Sequence, residues 1–395
     1  MRFIGIDVAS QTHVVAALSD QGEVLLAPKP FDEDQGGYQK LKQLLGSPEN
    51  SLVLFEATGH YWKNLAASLS AWGFQLVLLN PLRTRRFAES DLERTKTDAI
   101  DALTLARLGL EKRPAPTALP DAATEELREL VRHRDRIKQD FDDRVRQLHR
   151  LVDLGFPELP RLIKDLGCRM ATGVLAKYPT ALALTRARPK ELSNLKYDGI
   201  HTVGVKLANE LLALAKTSVG THHGPAYQLQ VLHTCEDLDL WRSRLNQLEG
   251  DIEKTVDGHE LGKLLTTIGG IGPLTSARLL AELGDPSHFK SPNALAAYVG
   301  TVPALKQSGL SRGTRAGLTN IGNARLRAKL YMPVLTAVRK NPWLKHHYER
   351  LRAAGKLPKV ALLACMRKLL HAVYSVAKSR KPFVPRLPAP AEVPT

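Results

Sequence analysis

Four carboxylates stand in settings that suggest joint chemistry. Asp7 closes GIDVAS, Glu56 lies in LFEATG, and Asp98 and Asp101 lie together in TKTDAIDA. Read as a helix, residues 93–109 place Asp98, Asp101, Leu105 and Leu108 on one face, which the leucines mark as buried. Carboxylates gathered in one pocket repel unless cations neutralise them. Oxygen-only donors favour Mg²⁺ or Mn²⁺. Two such ions activate a nucleophile and stabilise a leaving oxygen in phosphodiester chemistry. Taken singly, the residues say less. Asp98 serves equally well to complement a helix dipole, Glu56 to cap a following helix, and a first strand ending in Asp also opens actin-like ATPases.

The elements that must position these groups are legible as an α/β pattern. Residues 2–8 form an apolar run rich in β formers, and residues 12–18 and 23–28 flank the hairpin signal Asp20-Gln21-Gly22. Residues 36–45 and 61–71 read as helices, and SLVLF (51–55) and FQLVLL (74–79) as buried strands. Asn80-Pro81 reads as a break before the acidic helix. Three strands, helix, strand, helix, strand, helix imply an α/β sheet that opens with a hairpin. Ligands gather at the carboxyl ends of strands in such sheets, where Asp7 and Glu56 fall.

Pro114, Pro116 and Pro120 mark a linker. Beyond it, apolar residues at 127, 130, 137, 141, 145, 148 and 152 approach a heptad seam, as do Leu238, Trp241, Leu245, Leu248, Ile252 and Val256. Two long helices with a helical insert suggest an antiparallel coiled-coil arm or an ordinary bundle, either able to mediate self-association. The 395 residues predict two or three domains. The net charge of +16 lies wholly in the last quarter: residues 301–395 hold 19 Lys and Arg against Glu349 and Glu392 alone. Such a block, interleaved with apolar helix signals, reads as a nucleic-acid surface. Cys168, Cys235 and Cys365 form no CxxC pair, which argues against a disulfide framework or zinc knuckle. His222-His223 and His346-His347 lack metal-ligand spacing and read as surface or nucleic-acid-facing. No run of about 18 apolar residues suggests a membrane span, and MRFIGIDVAS lacks the form of a signal peptide, so a cytoplasmic protein with no membrane partner is expected.

In residues 264–284, LLTTIGGIGPLTSARLLAELG, the Gly270-Ile271-Gly272 turn looks like a helix-hairpin-helix. Its backbone N–H groups offer a phosphate seat, and Ser276 stands where Ala is usual. A glycine-rich loop between Gly300 and Gly322 carries Lys306, Ser308, Arg312 and Arg315, and a helix carrying Arg325, Arg327 and Lys329 follows Asn323. The Pro-rich residues 381–395 read as disordered.

The order Asp7, Glu56, Asp98-x-x-Asp101 on this frame resembles the RuvC branch of the RNase H-like fold. TKTDAIDA, the Asn-Pro after the last strand and EATGHYW are similar to the DEDD transposases of bacterial insertion sequences, the family that includes the Piv and MooV invertases. The resemblance extends over residues 1–380 and is weakest in the arm. It implies a RuvC-like metal domain at 1–113, a helical coiled-coil arm with insert at 114–260, a mainly α transposase domain with a serine nucleophile at 261–380, and a tail at 381–395. It implies Mg²⁺ (or Mn²⁺) on Asp7, Glu56, Asp98 and Asp101. Only Ser308 matches the family's nucleophile, which attacks DNA to form a covalent phosphoserine link; judged by its residues alone it is an ordinary loop serine. Gly270, Gly272, Lys306, Arg312, Arg315, Asn323, Arg325 and Arg327 would contact nucleic acid. The family often has Ser-Lys where this chain has Thr319-Asn320. The implied partners are donor and target DNA, a noncoding bridge RNA, and further copies of the chain as dimer or tetramer with a site composed from two subunits. The implied location is the bacterial nucleoid. Three other readings stay open: a Holliday-junction nuclease using water, a sugar kinase or actin-like ATPase, and a non-catalytic nucleic-acid binder.

Overall fold

The computed structural model describes residues 1–90, 97–302, 307–308, 311–312 and 322–385. It divides into two compact units, Met1–Leu119 and Pro120–Thr395.

In the first unit, strands β1 (Arg2–Asp7), β2 (Thr12–Leu18), β3 (Val24–Asp32), β4 (Ser51–Glu56) and β5 (Gln75–Leu79) alternate with helices α1 (Gln35–Leu45) and α2 (Trp62–Ala71), followed by α3 (Pro81–Ser90) and α4 (Asp98–Lys112). The sheet order is β3-β2-β1-β4-β5, with β1, β2 and β3 antiparallel and β1, β4 and β5 parallel. This mixed sheet is compatible with the expected RNase H-like fold. β3 continues beyond the expected residue 28, through Pro28 and Pro30 to Asp32. It lies at the sheet edge, where a missing N–H costs no ladder bond. The register slips by one residue between Val15↔Lys29 and Ala17↔Leu26, so a bulge accommodates Pro28.

Alternation along the strands buries two faces. Ile4, Ile6, Val53, Phe55 and Leu76 pack with Leu41, Leu45, Leu65 and Leu69 of α1 and α2. Phe3, Leu52, Leu54, Val77 and Leu79 pack with Phe87, Leu105 and Leu108 of α3 and α4. Each such side chain contributes about 1.5–3 kcal/mol on burial. α4 lies close to the sheet because Gly5 and Gly109 leave room: a Cβ at Gly5 would overlap the Ala102 carbonyl, and one at Gly109 would press on Leu54 and Phe3.

The turn after β1 is fixed from the other face. The Ala9 N–H donates to His13 Nδ1 (3.2 Å), so by the hydrogen-bond network Nε2 carries the proton and donates to Glu33 Oε2 (2.7 Å). Tyr38 Oη and Asn64 Nδ2 also donate to Glu33, at 2.6 and 3.0 Å. Burial alone would raise the Glu33 carboxyl, but these hydrogen bonds and His13 take it below the ordinary 4.5.

The second unit hangs on two 34-residue helices, α5 (Ala122–Gly155) and α10 (Pro225–Gly258). They run antiparallel: Arg134 bonds Glu249, Arg144 pairs with Asp237 at 2.9 Å, and Tyr227 Oη donates to the Leu151 carbonyl. One core gathers Leu148, Leu151, Val231 and Leu238 with the insert helices α6 (Arg169–Lys177), α7 (Ala181–Thr185), α8 (Pro189–Ser193) and α9 (Val205–Lys216). Another gathers Leu127, Val131, Ile252 and Val256 with α11 (Glu260–Thr266), α12 (Pro273–Leu283), α13 (Pro292–Val299), α14 (Ala324–Lys340), α15 (Pro342–Ala353) and α16 (Pro358–Ser379). Between the cores the seam is buried at Ile137 and Leu245 and half buried at Trp241 and Leu248. α16 alone among the described helices is long and apolar enough to cross a membrane, and its apolar face is buried in this second core.

Three expectations need correction. Asn80-Pro81 starts helix α3 instead of only ending a strand, with the Asn80 side chain accepting from Leu82 N–H at 2.9 Å. The acidic helix starts at Asp98, because Thr97 caps it by accepting from Ile100 N–H at 3.3 Å. In the segment expected to be disordered, Phe383 packs its ring against Trp343 and donates its N–H to Thr267; residues 386–395 lie outside the described residues.

Three outcomes follow for stability. Gly5→Val should lower it by about 3 kcal/mol through overpacking, read as a fall in melting temperature. Gly272→Ala should leave it nearly unchanged, because nothing lies within 4 Å of a Cβ there. Glu33→Gln should cost about 2 kcal/mol at pH 7, the scale of hydrogen bonds to a charged group. The folded-state pKa is depressed, so that stability is full above about the ordinary 4.5 and is lost as pH falls through the folded value. Urea titrations of wild type and Glu33→Gln should therefore converge below that pH.

Candidate carboxylate site and basic surface

The parallel register sets Ile6 opposite Phe55 and so carries Asp7 to the level of Glu56, at the carboxyl ends of adjacent strands. Adjacent strands lie about 4.8 Å apart. Side chains alternate faces, so Asp7 follows Phe3 and Gly5, and Glu56 follows Leu52 and Leu54, onto the face that α4 covers. α4 runs antiparallel to β1, with Gly109 against Phe3 and Ala102 and Ala106 against Gly5. One helical turn before Ala102 covers about 6 Å, close to the rise of two strand residues from Gly5 to Asp7. The first turn of α4, with Asp98 and Asp101, therefore lies toward the Asp7 end of the sheet.

Burial refines the sequence reading. Asp101 is half-buried and Asp98 is exposed, so the two carboxylates sit at the rim of the apolar stripe, not inside it. The stripe itself is Ala102, Leu105, Ala106, Leu108 and Gly109. Water at the rim removes the cost of burying a charge in the core. Glu56 is held by neighbours that sequence reasoning missed: Thr84 Oγ of α3 donates to Oε1, and Thr58 Oγ donates to Oε2 at 3.1 Å. The helix-start signature at Asn80-Pro81, with Thr84 one turn on, was the available signal.

The donor set is oxygen-only and confined to one end and one face of a sheet, which suits a hard divalent cation. The side-chain conformations do not close such a site: among the described residues, no group of three or more His, Cys, Asp or Glu is placed to hold a metal ion. His347, also half-buried, has its pKa pushed down to about 4 by burial and then by Lys368 and Arg350, so its ring is neutral near pH 7.

In the second unit the candidate contacts separate. Gly270 has a φ of 103°, and a Cβ there would overlap the Ala337 methyl, so packing against α14 requires this glycine. The Gly269 carbonyl accepts from Asn341 Nδ2 at 3.0 Å, while Gly272 faces open space before α12. Ser276 is buried and donates to the Gly262 carbonyl at 2.8 Å, which accounts for a serine at this close helix approach. Asn323 caps α14 through Leu326 N–H at 2.9 Å and donates to Glu282. Arg327 Nη1 donates to the Val299 carbonyl at 3.0 Å, which ties it to the end of α13. Arg325 remains half-exposed. Gln307-Ser308 pairs with Ser311-Arg312 as strands β6 and β7, described in their backbone alone. Lys306 and Arg315 lie outside the described residues.

A transposase family model matches residues 4–157, and a model of the IS116/IS110/IS902 transposase family matches residues 262–349. The chain is 26% identical to the pilin gene-inverting protein of Moraxella bovis over 395 residues, 98% of each chain. It is 26% identical to the insertion element IS116 44.8 kDa protein of Streptomyces clavuligerus, over 98% of this chain and 97% of that one. It is 28% identical to the mini-circle putative transposase for IS117 of Streptomyces coelicolor over 96% of this chain and 95% of that one. With the carboxylate-bearing sheet in one model and the basic helical unit in the other, the chain belongs to the IS110/IS116 family of transposases, enzymes that cut and rejoin DNA.

Proposed function

We propose that this transposase exchanges DNA strands through a covalent serine intermediate supported by the DEDD carboxylates. The observation that carries the reading is the convergence of Asp7, Glu56 and the first turn of α4 on one face and one end of the sheet. Asp7, Glu56, Asp98 and Asp101 would hold Mg²⁺ or Mn²⁺. When bound, the metal supplies Lewis-acid stabilisation of charge on the scissile phosphate. Thr84 and Thr58 keep the Glu56 carboxylate oriented. Asp101, half-buried on a helix fixed by Gly5 and Gly109, is positioned more firmly than the exposed Asp98.

Ser308 Oγ attacks the phosphorus of a DNA phosphodiester. The P–Oγ bond forms and the P–O3′ bond breaks, and the serine proton is lost as the 3′-oxygen gains one. The result is a 5′-phosphoserine and a free 3′-hydroxyl. A 3′-hydroxyl then attacks the phosphoserine, restoring P–O3′ and releasing Ser308. No energy source is needed, because one phosphodiester is exchanged for another. The basic C-terminal block suits a bridge RNA as well as donor and target DNA. The antiparallel α5–α10 pair would act as the self-association arm, and α11–α12 as a helix-hairpin-helix. The protein would work in the cytoplasm on nucleoid DNA. A water-using junction nuclease is the second reading, since the same carboxylates serve both.

The test incubates supercoiled DNA carrying an insertion-sequence junction with its flanking RNA and Mg²⁺, then denatures the products. Protein linked to a DNA end is expected with wild type and not with Ser308→Ala, and at least 100-fold less with Asp7→Asn or Asp101→Asn, the scale of losing a group that stabilises transition-state charge. DNA cut by Ser308→Ala with no adduct anywhere would establish the water-using alternative. Independently of activity, Mg²⁺ should raise the melting temperature of wild type but not of Asp7→Asn.

A further inference from the structure

The most concentrated charge cluster outside the carboxylate site surrounds Asp135 on α5. Its side chain is 7% exposed. Arg278 of α12 donates to Oδ1 at 2.6 Å, and Arg134 lies 3.5 Å away. Lys329 and Arg325 of α14 lie 3.2 and 4.0 Å from Oδ2. Burial alone would raise the Asp135 carboxyl, but Arg278 and Lys329 take it below the usual carboxylate range. One carboxylate thus faces four cations from three helices. Glu249 answers Arg134 alone, so Arg278, Arg325 and Lys329 share the single charge of Asp135.

Cations this close repel one another, and a buried carboxylate beneath them offsets that repulsion while fixing their directions. Two side chains point outward. Arg325 and Lys329 keep 47% and 38% of their side chains exposed, one helical turn apart on α14. Arg278 backs this pair from beneath: its side chain is 12% exposed, and its Nε is buried without a hydrogen-bond partner among the described residues. An anion with several acceptor oxygens, carrying about one negative charge, suits such an arrangement.

We propose that Arg325, Lys329 and Arg278 form a seat for a nucleic-acid phosphate, with Asp135 as the positioning residue that holds the seat together. The inference rests on the chain acting on nucleic acid and not on the serine chemistry. Phosphodiester backbone is the shared chemistry, and duplex DNA and RNA are its two sources.

The experiment measures binding of the full-length protein, without Mg²⁺, to a duplex DNA and to a single-stranded RNA over a range of salt concentrations. Lys329→Gln and Arg325→Gln should each weaken binding and lower the slope of log K against log salt by about 0.9 on duplex or about 0.7 on single strands for one lost phosphate contact; the arm that changes names the source. Lys329→Arg should restore the slope. Asp135→Asn separates positioning from neutralisation. It removes a negative charge, so simple electrostatics gives tighter binding, whereas a disordered seat binds more weakly. Weaker binding by Asp135→Asn protein with a wild-type circular dichroism spectrum supports the proposal, and tighter binding overturns the positioning role. Should Asp135→Asn not fold, the α14 variants decide alone: unchanged slopes on both nucleic acids overturn the seat. Unchanged slopes alongside normal covalent adducts would sink this inference only, and a shifted slope without adducts would sink only the serine reading.

Discussion

The close approach of α4 to β1 governs the first unit. Gly5 and Gly109 remove the side chains that would hold helix and strand apart, and Ala102 and Ala106 keep the helix side thin. Phe3, Leu54, Leu105 and Leu108 then close around the contact. A helix seated this closely has little freedom to slide, because interiors packed to crystal density tolerate few voids. The position of its first turn follows from that seating, and with it the position of Asp98 and Asp101. The carboxylates are thus placed by apolar packing several residues away, and are themselves left at a wetter rim. There, beside water, the cost of holding negative charge stays small.

The second unit solves a different problem. Two 34-residue helices bridge two separate cores, and between the cores only Ile137 and Leu245 are buried beside half-buried neighbours. The cores at each end supply the burial that the middle lacks. Charge supplements it: Arg134–Glu249 and Arg144–Asp237 link the helices to each other, and Asp135 links α5 to α12 and α14. Breaking a buried charged group is costly because its partners are left uncompensated. Asp135 therefore restrains the start of α14, the helix that follows the segment carrying Ser308.

These two arrangements belong to a chain of a family that cuts and rejoins DNA. The sheet brings the carboxylates of Asp7 and Glu56 to the ends of adjacent strands. The helical unit brings positive charge: its last 95 residues hold 19 Lys and Arg against two acidic residues. The family match covers both parts, and the similarity to the Moraxella bovis and Streptomyces proteins runs through the whole chain, arm included.

Local pattern was enough to reveal the order of strands and helices in the first unit except α3, because alternation and helical spacing report which faces are buried. It also placed Asp7 and Glu56 at strand ends and located both long helices. Short-range signals misled where one residue pair serves two purposes. Asn80-Pro81 reads as a break but also starts a helix, as Asn341-Pro342 does for α15. Gly270 reads as a phosphate loop, yet its φ and lack of Cβ answer to Ala337, 67 residues away in the chain. Asn323 and Arg327, which the resemblance gives as nucleic-acid contacts, also cap α14 and tie down the end of α13. The gap in the α5 seam between Leu130 and Ile137, where Arg134 and Asp135 stand, hinted at a polar layer but not at its partners on α12 and α14. Sequence determined the residue types, their periodicity and the charge balance, because these depend only on neighbours along the chain. Tertiary structure alone decided that α4 runs antiparallel to β1, that Thr84 reaches Glu56 and that four cations converge on Asp135, because each depends on surfaces that meet only after folding.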